Sequence, residues 1–243
     1  MICVYNNCKQ MEDMLLKSCN KALSEGGGNF LLIDNQKGKY ASCAEAYNKE
    51  LKSRWNDLGD VLIFLHQDIA FDDDSFICRI EQELKTNPQQ ILGFAGMPRA
   101  GRTVSNLRYF STKQFITCTQ IKEKTEVESV DECCFAMTKN LYFKILFDEK
   151  TCSHWHLYAV DFCYQAKREF NISSYVLPES IYHKMDGSSG LSTDRHFLWT
   201  MFKMTRKYRN RFSTMYAPCY IVSTSLPKAM LKIGKTMLRN MLG

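Results

Sequence analysis

The stretch "VLIFLHQDIAF", residues 61–71, decides the fold. Val61 to Leu65 is an unbroken apolar run, which reads as a strand buried on both faces. The run stops abruptly at His66-Gln67-Asp68, leaving two potential metal ligands one residue apart just past the strand.

Similar units lie on either side. Residues 2–5 (ICVY) form a short strand, and Met11, Met14, Leu15, Cys19 and Leu23 mark a helix over 10–24. "EGGGN" (25–29) breaks it, and "FLLID" (30–34) is a second strand. A helix over 40–55 leads to the strand at 60–65. A helix over 73–87, with acidic residues in its first turn, leads to a fourth strand at 91–96. Residues 97–126 read as irregular, 127–137 as extended, 154–170 as a helix and 173–178 as a strand. Strands alternating with helices in this way indicate an α/β fold on a parallel sheet with right-handed crossovers.

The Gly triplet at 26–28 precedes a strand, whereas phosphate-cradling loops follow one and open a helix. The lack of a G-x-G-x-x-G and of a Walker A argues against an ordinary dinucleotide or P-loop enzyme. The 11 cysteines are odd in number and form no C-x-x-C pair, so reduced thiols are expected rather than a zinc site or a disulfide framework. The opening "MICVYNNCKQ" lacks the basic head and apolar run of a signal peptide, and no stretch reaches the roughly 20 apolar residues of a membrane span. A cytoplasmic location is expected. The net charge of +6 is unevenly spread: from Arg195 onward there are ten Lys or Arg and no Asp or Glu. Such a basic tail suits an anionic partner surface.

In open α/β sheets, ligands bind beyond the C-terminal ends of the strands. Three polar groups fall there: Asn6-Asn7, Asp34-Asn35 and His66-Gln67-Asp68. Each is also a plausible turn. The stretches "CVYNN", "LLIDNQKGKYASCAEAYN", "DVLIFLHQDI", "GFAG", "VDECCFAM", "FDEKT", "WHLYAVDFCYQAK" and "YVLPESIYH" run in one order over residues 2–190. In that order the chain resembles the inverting family 2 glycosyltransferases of the GT-A type, in particular the "glycosyltransferase-like" group. The resemblance implies a GT-A, Rossmann-like nucleotide-diphospho-sugar transferase domain: a mostly parallel sheet flanked by helices, here followed by a basic helical C-terminal extension. It divides the chain into a nucleotide-binding half (1–97), an acceptor half (98–190) and a tail (191–243).

The resemblance also implies a nucleotide-sugar donor, UDP-type by preference, and a divalent cation, Mn²⁺ or Mg²⁺. The family's Asp-x-Asp motif falls on His66-Gln67-Asp68. Asp68 is then the first metal ligand, and His66 either ligates the metal, hydrogen-bonds the ribose, or serves the turn alone. His183, in "SIYHKMDGSSG", matches a further metal ligand of the family, with the alternative of a surface His. By the same match Asn6, Asp34 and Asn48 sit near the base and ribose, Asn48 alternatively being helix-surface decoration. Inversion needs a carboxylate that takes the acceptor's proton. The family's usual base falls on Ala159, which cannot do so. Asp161 or His156 is left as the substitute, or catalysis is lost; Asp161 alternatively pairs with Lys167 or Arg168. Positions 159 and 161 lie about 200° apart on a helix, which opposes simple replacement. Asp131, Glu132 and Trp155 are candidate acceptor contacts, though Trp155 suits the core equally.

In the tail, Met230, Ile233, Met237 and Met241 share a helical stripe opposite Lys228, Lys232, Lys235 and Arg239. That pattern suits a helix lying on an anionic membrane at the inner face of the cell, or packed on the body. No nucleic-acid motif accompanies the charge. The sequence therefore supports metal-assisted, inverting sugar transfer to a glycan or lipid-linked acceptor. The rivals are a catalytically impaired nucleotide-sugar-binding scaffold and a nucleotidyl or phosphoryl transferase, though no extra basic loop of the latter is seen.

Overall fold

The computed structural model describes residues 1–19, 28–72, 75–116, 118–184, 194–218 and 220–242. The acidic helix start at Asp73-Asp74, most of the Gly-rich break, the Gly/Ser loop after Lys184 and the Met241 side chain lie outside the described residues.

In chain order the strands are β1 (Ile2–Tyr5), β2 (Leu31–Asp34), β3 (Val61–Leu65), β4 (Ile69–Phe71), β5 (Gln90–Gly93), β6 (Ala95–Met97), β7 (Val104–Ser105) and β8 (Arg108–Tyr109). They continue as β9 (Thr125–Val127), β10 (Ser129–Val130), β11 (Cys134–Thr138), β12 (Ser173–Val176), β13 (Ile181–His183), β14 (Thr214–Ala217) and β15 (Tyr220–Ser223). Seven of them form the central sheet in the order β2-β1-β3-β11-β5-β12-β9. β1 runs parallel to β2 and β3, and β12 parallel to β5, as the strand–helix alternation requires. β11 runs antiparallel to both its neighbours, and β9 antiparallel to β12. The single extended run read over 127–137 is in fact three strands, with a turn at Asp131-Glu132 that sends β11 back through the sheet. Hydrophobic pattern carries no strand direction, so this reversal is invisible in sequence.

β3 is buried on both faces. Leu62 and Phe64 join a core cluster with Tyr47, Phe135 and Phe147, while Ile63 and Leu65 join another with Ile69, Phe76 and Phe94. Alternate side chains of a strand point to opposite faces, so five consecutive apolar residues supply both layers. The helix Cys43–Ser53 covers the first layer and Phe76–Thr86 the second. Ser42 caps the former by accepting from Glu45 N–H (3.1 Å), and the Glu45 carboxylate reaches back past the cap to Ala41 N–H (2.8 Å).

The C-terminal extension is helical at both ends, Arg195–Tyr208 and Leu226–Leu242. Between them lies an antiparallel hairpin, β14–β15, that the charge pattern did not announce. The extension forms a third core cluster with Leu157, Val160 and Tyr164 of the body. The helix Leu226–Leu242 turns Ala229 and Ile233 inward, and Met237 packs against the same cluster. Its exposed apolar residues are Met230 (60% exposed), Leu231 (61%) and Leu238 (59%), so Ile233 and Met237 of the stripe read from sequence pack inward while Met230 faces out.

A buried ion cluster fastens the extension. Lys207 Nζ lies 2.8 Å from an Asp161 carboxylate oxygen and 2.7 Å from Asp148. Burial would raise the Asp148 carboxyl, but Lys207 and Thr151 outweigh it and hold the group down at about 2. The Asp161 side chain is 1% exposed, so removing its cation leaves a charge stranded in the interior. Lys207→Met is expected to cost about 3–5 kcal/mol of stability in urea unfolding, and adding Asp161→Asn to restore part of it. Equal stability of Lys207→Met and the parent chain would contradict the anchoring role.

Candidate functional site

A cavity of about 440 Å³ opens at the C-terminal ends of β1, β2 and β3. Asn6, Asn35, His66, Asp68, Glu132 and His183 are among its lining residues. Another cavity, of about 380 Å³, lies at the opposite end of the sheet beside Met1, Asn29 and Asp60, without a cluster of metal-ligating groups among the described residues.

Gln67 ties the tips of β1 and β3 together. Its Oε1 accepts from Asn6 N–H and Asn7 N–H (both 3.0 Å), and its Nε2 donates to Asn6 Oδ1 (2.8 Å). Asn35, buried, exchanges two hydrogen bonds with the Tyr40 backbone and shapes the loop after β2. The sequence reading singled out neither residue's role, although both lie in motifs it quoted.

The metal-ligating types converge. One potential ligand atom each from His66, Asp68 and His183 lies within 4.8 Å of the others. His183 Nε2 is 3.4 Å from Asp68 Oδ1, and His66 Nδ1 is 3.9 Å from the same oxygen. The cause is a second small sheet: β13 pairs antiparallel with β4, setting His183 opposite Ile69, and Lys184 N–H donates to Asp68 O (2.9 Å). Burial would lower the His183 imidazole, but Asp68 outweighs it and raises it. Burial lowers His66, with Asp68 pulling the other way. Burial would raise Asp68, but the two imidazoles hold it below the usual carboxylate range. Two imidazole nitrogens and one carboxylate fit a divalent cation that tolerates imidazole, as Mn²⁺ does, better than Mg²⁺, which prefers an all-oxygen shell.

The opposite wall comes from the turn before β11 and the segment before the helix Tyr158–Phe170. Asp131 and Glu132 both line the cavity, with Trp155 (37% exposed) and His156. The helix starts at Tyr158 rather than 154, so Trp155 and His156 sit on the loop preceding it. His156 Nε2 is 3.0 Å from Asp194 Oδ2. Leu157 holds a left-handed backbone (φ 68°), a conformation costly for a branched side chain, and its N–H donates to Glu132 Oε1. The Tyr158 hydroxyl is 3.3 Å from His66 Nε2. Burial, then the neighbouring Asp131, push the Glu132 carboxyl up to about 8.

Three expected site residues lie elsewhere. Asp161 faces away from the cavity: besides Lys207 it accepts from the Tyr208 hydroxyl (2.8 Å) and Gln165 Nε2 (2.9 Å). Neither Lys167 nor Arg168 is its partner; Lys167 pairs with Glu128 and Arg168 with Glu169. The helical phase from 159 to 161 turns it to the rear. Asn48 is a brace, donating to Phe147 O (2.9 Å) and Glu149 (2.9 Å) and accepting from the Tyr142 hydroxyl (2.8 Å). Asp34 is exposed, closes its own turn by accepting from Gln36 N–H (2.8 Å), and does not line the cavity. Ala159 is buried in the core.

No protein-family model matches the chain, and no curated protein matches it. Solved structures do match in shape. GalNAc-T7 with UDP, GalNAc and Mn²⁺ is 11% identical with a TM-score of 0.57, over 98% of this chain and 53% of that one. This chain thus spans about half the length of that enzyme's. The mannosyltransferase PcManGT from Pyrobaculum calidifontis, in complex with GDP-Man and Mn²⁺, is 9% identical with a TM-score of 0.56, over 99% of this chain and 72% of that one. The likeness shows the fold: a GT-A-type α/β architecture with a large, mostly parallel central sheet flanked by helices.

A carboxyl at about 8, above its ordinary 4.5, takes up a proton on folding across that window. Its contribution to stability is full below pH 4.5 and is lost as the pH rises through 8. Glu132→Gln, which cannot ionise, is therefore expected to gain stability on the parent chain between pH 5 and pH 9 in denaturant titrations. Parallel pH–stability curves would place the carboxyl back in its ordinary range.

Proposed function

We propose that the chain transfers a sugar from a nucleotide-diphosphate-sugar donor, UDP-type by preference, to a glycan or lipid-linked acceptor, with inversion at the anomeric carbon. The observation that carries the reading is the convergence of His66, Asp68 and His183 on one side of the cavity at the strand ends. The fold supports it too, since the similar structures hold Mn²⁺ with a nucleotide or nucleotide sugar.

In this reading His66, Asp68 and His183 hold the cation. When bound, it neutralises charge growing on the departing diphosphate. Asn6 and Gln67 fix the edge of the donor pocket, where the ribose and base lie. Asp131, Glu132 and Trp155 face the acceptor; carboxylates accept from sugar hydroxyls, and an exposed indole offers a stacking face. Residues 1–97 then serve the nucleotide, 98–190 the acceptor, and 191–243 form the extension.

A second reading has its own observation. Ala159 occupies the position that the resemblance gives to the base, and Asp161 is spent on Lys207. A nucleotide-sugar-binding protein that does not turn over would have this appearance.

The extension points to polysaccharide assembly at the inner face of a membrane. Leu231 and Leu238 are exposed on the helix Leu226–Leu242, with Lys228, Lys235 and Arg239 beside them, an arrangement suited to an anionic surface. No helix among the described residues is long and apolar enough to cross a membrane.

Two measurements bear on these readings. A thermal-shift panel of nucleotide sugars is expected to give stabilisation that grows with Mn²⁺, and Asp68→Ala to abolish the metal-dependent part. No shift with any donor, with or without metal, would refute the donor assignment. In flotation assays the chain is expected to bind phosphatidylserine-containing vesicles at low salt, and Leu231→Ser with Leu238→Ser to release it. Binding unchanged by that pair would remove the helix from the contact.

A further inference from the structure

We infer that Glu132 supplies the catalytic carboxylate that Ala159 cannot. The inference rests on the sugar-transfer reading above. It concerns a residue on a different element, the turn entering β11, that reaches the start of the helix Tyr158–Phe170 from outside.

Four observations place it there. Glu132 lines the cavity that holds His66, Asp68 and His183. Its Oε1 accepts from Leu157 N–H at the helix start, two residues from Ala159. Leu157 is held there in a left-handed conformation with its side chain buried, so the chain maintains a strained residue beside this carboxylate. Neither helix position weighed for the base can serve: position 159 is alanine, and Asp161 is committed to Lys207, Tyr208 and Gln165.

The surroundings tune the group. Asp131 sits beside it in sequence, and the Tyr158 hydroxyl and the Cys43 and Cys152 thiols are its ionisable neighbours from packed elements. Burial and Asp131 keep the carboxyl near 8, where it can accept a proton and release it again close to neutrality. In the transfer step the acceptor hydroxyl gives its proton to the Glu132 carboxylate. Its oxygen forms the new bond to the anomeric carbon. The bond from that carbon to the phosphate oxygen breaks, and the nucleoside diphosphate leaves with the electron pair. The proton then passes from Glu132 to solvent.

Glu132→Gln keeps an oxygen able to accept from Leu157 N–H, so the helix start is preserved while the base is removed. With a UDP-sugar and Mn²⁺, its thermal shift is expected to match the parent chain. Transfer, or donor hydrolysis where water is the acceptor, should fall by about 10²–10⁴-fold. Glu132→Asp should retain part of the rate, and kcat/KM of the parent chain should rise with pH toward 8. Three results overturn the assignment: a rate in Glu132→Gln within threefold of the parent, a fall in donor affinity that accounts for the loss, or a parent chain that binds donor yet never turns it over from pH 6 to 9. Absence of donor binding by the parent chain would overturn the sugar-transfer reading itself, and the base with it.

Discussion

One backbone hydrogen bond sets the geometry of the site: His66 N–H to Cys133 O, 3.0 Å. It is the last rung between β3 and β11 before the two strands part. Below it, five residue pairs lock the strands in register through the middle of the sheet. Above it, the chains diverge and their next residues line a common cavity: His66, Gln67 and Asp68 from one strand, Asp131 and Glu132 from the other. Because β11 is antiparallel, its incoming turn lies at the same end of the sheet as the outgoing end of β3. A parallel partner would have placed that turn about five residues away, at the far end.

The cavity gathers ionisable groups of both signs. Asp68, Asp131 and Glu132 face three histidines in a space of about 440 Å³. Two of the carboxylate–imidazole pairings are made: Asp68 lies against His183, and His156 against Asp194. Glu132 is the outlier, with a carboxylate neighbour and backbone N–H groups but no cation among the described residues. Perturbed groups gathered in a cleft are the usual mark of a site shaped for chemistry rather than for stability.

Much of this was legible in the sequence, and the losses have physical causes. The run Val61–Leu65 declared a doubly buried strand, and the polar triplet after it marked the strand end where the cavity opens, because both are local signals. His183 was assignable only by resemblance, since the β4–β13 pairing that delivers it spans over a hundred residues. Asp161 was misread because its partner, Lys207, is 46 positions on, in a segment read as a tail. The helix start slipped from 154 to 158 because the residue before it, Leu157, offers no capping side chain where Ser, Thr, Asp or Asn is the usual signal. Asn48 was placed in the crevice by motif, whereas its amide ties one helix to the loop carrying Phe147. The hairpin β14–β15 was masked by the strong basic signal on either side of it.

Leu157 belongs to two structures at once. Its backbone N–H holds Glu132, which lines the cavity, and its side chain sits in the core shared with the extension. The basic C-terminal segment is therefore not a detachable module. A chimaera that exchanged it for the extension of another protein of this fold would have to carry the Leu157–Tyr164 seam along with it. Otherwise the graft would loosen the hydrogen bond by which Leu157 holds the Glu132 carboxylate.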